Sequence, residues 1–98
     1  MREIHDLKTW PTFYKDIETG IKRFEIRNDD RGFEVGDYLL LREYDQHIGQ
    51  YTGKSMFAKV DYLMRHWPEL GLKQGYCIMS ITKCENPLFT FKREAKNV

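Results

Sequence analysis

The chain has 98 residues, 41% hydrophobic and 32% charged, with 16 Lys and Arg against 15 Asp and Glu for a formal charge of +1. Such a composition excludes a disordered chain and describes one folded domain with a thin core, burying roughly 65% of its unfolded surface. The even charge argues against a duplex binder working through a basic surplus. Any nucleic-acid contact must come from a local patch, a single strand or one nucleotide held in a pocket.

No apolar run approaches the ~20 residues of a membrane span, and Met1–Asp6 has no apolar signal segment. A cytoplasmic protein with no membrane partner is expected. Cys77 and Cys84 have no partner pair to form a framework with, and are expected to be reduced.

In chain order, Ile4–Lys8 reads as a short strand or extended lead-in. A helix signal follows within Leu7–Gly20: Pro11 suits the first turn, Gly20 the position past the last, and Phe13, Tyr14 and Ile17 share an apolar face. Residues 21–27 alternate, which predicts a strand with Phe24 and Ile26 on the core face and Glu25 and Arg27 pointing away from it. Asn28–Gly32 is a polar turn. Asp37–Tyr44 is a strand whose Leu run predicts burial on both faces.

Asp45–Gly53 reads as a hairpin loop, and residues 54–64 as a strand with Met56, Ala58, Val60, Tyr62 and Met64 inside. Arg65–Gly75 is a loop with at most one helical turn, Tyr76–Thr82 another strand, and Leu88–Phe91 a short edge strand. The expected architecture is α+β, a small, mainly antiparallel β-barrel with one early helix, closed because closure removes exposed edges. Residues 1–84 form its single domain, and residues 85–98 a partly disordered extension.

His5, His47, His66, Cys77 and Cys84 lack the close pair spacings of zinc sites, and no glycine-rich phosphate loop precedes a helix; no metal or cofactor is expected. Lys22, Glu25 and Arg27 form the one local group able to carry chemistry. A Lys beside an Arg loses its proton more readily, a carboxylate can accept the exocyclic amine of a base, and Arg can grip phosphate. On spacing alone, a solvated strand face with a weak ion pair is the more common outcome. The aromatics exceed what a core this size can bury. Trp10 and Trp67, each beside a proline, are the best placed to rim a site and stack on a base.

The ordered series Gly-x-Lys-x-x-Glu-x-Arg, Phe-x-Val-Gly-Asp-x-Leu-x-Leu-Arg-Glu-Tyr, Tyr-Thr-Gly-Lys and Gly-Leu-Lys-x-Gly-Tyr resembles the ASCH superfamily. It is most similar to the compact ASCH-like domain of uncharacterised function found in bacteriophages and prophages. The resemblance runs from about His5 to Ile81 and implies a PUA-like barrel with a cleft between barrel and early helix, where relatives bind RNA or modified nucleotides. It implies ligand-binding roles for Lys22, Glu25 and Arg27, with Gly36-Asp37 as the following turn; Arg31 and Trp10 are rim candidates.

Some ASCH relatives deacetylate acetylcytidine with a Lys, a Thr three residues later and a distant Glu. Here Glu25 occupies the Thr position, and the distant Glu has only Glu43 and Glu69 as candidates. The expectation is therefore an RNA- or nucleotide-binding module, monomeric or weakly dimeric. The alternatives are a small amidohydrolase using Lys22 and Glu25 on a modified nucleoside, and a phage domain that binds a host protein.

Overall fold

The computed structural model describes residues 2–88. Strand β1 (Ile4–Thr9) leads into helix α1 (Pro11–Glu18), followed by β2 (Phe24–Asn28), β3 (Tyr38–Asp45), β4 (Gln50–Arg65) and β5 (Tyr76–Cys84). A single 3-10 turn at Pro68–Leu70 interrupts the loop before β5. The sheet order is β1-β3-β4-β5-β2. The β1–β3 pair is parallel and the other three ladders are antiparallel.

The result is an α+β fold in which a curled five-strand mixed sheet forms a half-barrel. The two edges, β1 and β2, share no ladder, so the expected closure is not made by backbone pairing. Side chains cross the seam instead. Arg27 Nη2 donates to the Lys8 carbonyl at 2.8 Å and Arg31 Nη1 to the Asp6 carbonyl at 3.1 Å. Each bond satisfies a carbonyl on an edge that would otherwise be left to water.

Local sequence explains the helix. Trp10 is extended at the N-cap, Pro11 occupies the first helical position where its missing N–H costs nothing, and Gly20, at φ 84°, lets the chain reverse. Tyr14 and Ile17 are buried as expected, whereas Phe13 is 44% exposed. The core lies between α1 and the concave face of the sheet, where Phe33, Leu39, Leu41, Ala58, Val60 and Met79 are all fully buried. The Leu run of β3 behaves as expected: Leu39 and Leu41 face the core and Leu40 is half-buried.

Three expectations are overturned. In β2 the alternation is real but its faces are exchanged: Glu25 is 4% exposed while Phe24 and Ile26 are 42% and 53% exposed. Glu25 stands opposite Met79 of β5, so the Glu25 face is the concave one. In β4, the register against β5 shifts between Val60 and Tyr62, a bulge that inserts one residue and reverses the strand's parity. Tyr62 is therefore 64% exposed and Leu63 packs on the core in its place.

The Asp45–Gly53 loop is also shorter than expected, because Gln50 and Tyr51 already pair with Asp45 and Tyr44. Pro87 and Leu88 are helical; the remainder of the edge strand expected over Leu88–Phe91, and most of the 85–98 extension, lie outside the described residues.

Candidate functional site

A cleft of about 420 Å3 opens at the seam of the half-barrel. Its walls come from the end of β1 (Lys8, Thr9), the turn into α1 (Trp10), α1 itself (Phe13), Lys22, and β2 from Phe24 to Arg27. The cleft thus occupies the place where the two edge strands fail to meet. Its size falls in the range of small-ligand sites, which run from about 300 to 1,000 Å3.

Glu25 is the electrostatic centre. Its Oε1 accepts from Lys22 Nζ at 2.7 Å and its Oε2 from Arg27 Nε at 2.8 Å. Lys22 Nζ also donates to the Phe24 carbonyl at 2.6 Å and lies 4.7 Å from the Phe24 ring centroid. The side chains are 14% (Lys22), 5% (Glu25) and 24% (Arg27) exposed, so all three charges are withdrawn from bulk water. A buried carboxylate is tolerable only when paired and hydrogen-bonded, and two cations meet that condition here. The exposed-ion-pair reading of this strand is thereby excluded.

Two cationic side chains, Lys22 and Arg27, face the one carboxylate, while Lys8 lines the opposite wall with its ammonium 4.4 Å from the Tyr44 ring centroid. The apolar part of the cleft is aromatic. Trp10 and Phe13 stack with ring centroids 6.1 Å apart and planes inclined by 15°, and both rings remain roughly half exposed. Aromatic faces left open beside cations suit a planar, anionic guest.

Thr9 adds a second kind of signal. It lines the cleft and is 2% exposed, yet its hydroxyl oxygen has no hydrogen-bond partner, the one such buried side-chain atom among the described residues. An unpaired buried hydroxyl costs about 1–3 kcal/mol, and such groups call for an explanation.

Of the residues expected from sequence, the structure brings Trp10, Lys22, Glu25 and Arg27 into the cleft. Arg31 stands apart, bonded across the seam to Asp6, and Trp67 does not line the cleft. Sequence reasoning missed Lys8, Thr9, Phe13, Phe24 and Ile26. For Thr9 a signal existed in the inward alternation of β1 (His5, Leu7, Thr9), which aims its last member at the helix start.

At the opposite end of β1 from the cleft, Asp37 fixes the strand. Its carboxylate accepts from the Glu3 and Glu34 backbone N–H groups at 3.1 and 3.0 Å, and His5 Nε2 lies 2.9 Å away. Burial alone would raise this carboxyl, but the bonds from His5, Glu3 and Glu34 outweigh it and hold the group below the ordinary Asp range. The cysteines offer no nucleophile here. Neither is disulfide-bonded, and burial raises both thiols, with the Asp29 carboxylate adding to the effect on Cys77. No three His, Cys, Asp or Glu side chains among the described residues converge as metal ligands would, and no helix among them is long and apolar enough to cross a membrane.

Residues 4–81 match the family described as "Domain of unknown function (DUF3850)". The chain is also similar to an uncharacterised 12.9 kDa protein, from the GpA 3′ region of Escherichia phage P2, with 37% identity over 60 residues. That alignment covers 61% of this chain and 53% of the phage protein, so the chain spans about half the length of this relative.

Proposed function

The chain belongs to the DUF3850 family, and on that premise we propose that it binds a nucleotide, free or as an unpaired residue of RNA, in the seam cleft. The half-barrel and the motif series also support placing it with the ASCH, PUA-like domains. The observation that carries the binding reading is the joining, in one cleft, of a stacked aromatic wall to a single buried carboxylate held between two cations, Lys22 and Arg27.

In this reading the base stacks against Trp10 and Phe13. Glu25, already held by two donors, uses its remaining lone pairs to accept from an exocyclic amine. Lys22, Lys8 and Arg27 offer their remaining N–H groups to carbonyl or phosphate oxygens. The carboxylate supplies selection, the cations hold the anionic part, and the aromatic wall supplies affinity that tolerates different bases.

Titration of nucleoside 5′-monophosphates and short single-stranded RNA, followed by Trp fluorescence, tests it. A Trp10→Ala variant that binds RNA as tightly as wild type would refute the site, since loss of a stacked base contact costs about 1–3 kcal/mol, or roughly 5- to 150-fold in affinity.

One observation favours a second reading, hydrolysis of an acylated nucleoside: the unpartnered Thr9 hydroxyl shares the cleft with Lys22 and restores a side-chain hydroxyl that position 25 lacks. Turnover of a panel of acylated nucleosides separates it from binding alone; no product at stoichiometric protein would eliminate it.

A further inference from the structure

Resting on the nucleotide-binding reading, we propose that the ligand is a strand rather than a single nucleotide, because a second groove beside the cleft is built for the neighbouring phosphate. This groove, about 260 Å3, is lined by Ile17, Gly20, Lys22, Arg23, Ile81, Thr82 and Lys83. Lys22 is common to both sites, so the groove and the cleft lie on two sides of one side chain.

The groove differs from the cleft in kind. It has three cations and no carboxylate. Arg23 spends only Nε, on the Gly20 carbonyl at 3.0 Å, which leaves both terminal nitrogens with donors to spare. Lys83 Nζ makes one bond, to the Glu18 carbonyl at 3.1 Å, and keeps two N–H groups. Of the acids carried nearby, Glu18 Oε1 lies 3.8 Å from Lys54, and Asp61, which does not line the groove, is occupied in accepting from Thr82 of its wall. Gly20, at φ 84°, leaves the floor open, since a side chain built there would meet no atom within 4 Å.

Surplus donors without an acceptor call for an anion with several oxygens, and phosphate is that anion when the cleft next door holds a nucleotide. An aromatic cleft next to a groove whose only charged lining residues are cations is the division of labour by which single strands are held, with stacking in one and backbone charge in the other. The cations of the cleft hold the phosphate of the nucleotide that sits there, and Arg23 and Lys83 hold the next one along the chain.

The test compares a nucleoside 5′-monophosphate with a single-stranded tetraribonucleotide of the same base, on wild type and on a variant carrying Arg23→Gln and Lys83→Gln. Both residues are exposed, so the variant keeps the fold. The tetranucleotide is expected to bind wild type at least about tenfold more tightly. Its logarithmic salt slope is expected to be steeper by about 0.7–1.4, the signature of one or two further neutralised phosphates on a single strand. In the variant, the tetranucleotide's advantage falls to within about twofold and the extra slope disappears. Equal affinity of the two ligands for wild type, or an advantage unchanged in the variant, overturns the strand inference and leaves the cleft reading standing. If neither ligand binds, the cleft reading falls and this inference with it.

Discussion

Burying Glu25 removes a carboxylate from water at a cost of several kcal/mol, which Lys22 and Arg27 offset only while all three are present. Glu25→Ala leaves two cations without their shared partner and is expected to lower stability by about 3 kcal/mol, read from urea unfolding. Thr9 behaves in the opposite sense. Its hydroxyl has no partner in the free protein, so Thr9→Val is expected to leave stability unchanged or raise it by up to about 1 kcal/mol, while weakening nucleotide binding about fivefold if the hydroxyl pairs with ligand. Tighter binding by the Val variant would exclude that pairing.

Asp37 makes stability depend on acid. Its folded pKa lies below the unfolded value of about 3.9, so the unfolded chain binds the proton first as pH falls. The contribution is complete above that unfolded value and disappears as pH drops through the lower, folded one. Denaturation midpoints from pH 5.5 down to 2.5 are expected to show this fall in wild type. Asp37→Asn is expected to lack it and to be less stable by about 2 kcal/mol at pH 7. At this scale the sequence was informative about identity: Lys22, Glu25 and Arg27 stood out by type and spacing. Thr9 did not, because an unmet hydrogen bond is a property of three-dimensional surroundings.

The elements divide according to whether their signal is local. Helix α1 was legible because Pro11 and Gly20 mark its ends by backbone constraint alone. Gly20→Ala is accordingly expected to cost about 1–2 kcal/mol through its left-handed φ, although no atom blocks the added methyl, and thermal melts would register it. Strand β2 was legible in period but not in side. Alternation separates two faces without saying which one is covered, and the apolar choice of Phe24 and Ile26 was wrong because those side chains wall a cleft. The expected inward row of β4 failed past Val60, since a bulge is written in strand pairing and not in hydrophobic order.

At the level of the molecule, the gap between β1 and β2 ties fold to function. Arg27 serves both, neutralising Glu25 and bonding the Lys8 carbonyl across the gap. Arg27→Met is expected to accelerate amide exchange in β1 and β2 while leaving β3 and β4 protected, a difference readable by hydrogen exchange. The strand order also dictates when the site can exist. β1 has its ladder only with β3, some 34 positions later, and β2 only with β5, which ends at Cys84. During synthesis, β1 waits without its partner until β3 is made, and β2 waits until β5 leaves the ribosome. The β3–β4 hairpin can form early, from neighbouring residues. A nascent chain stalled before Tyr76 therefore has a hairpin and no cleft, and ligand capture becomes a report that translation has passed β5.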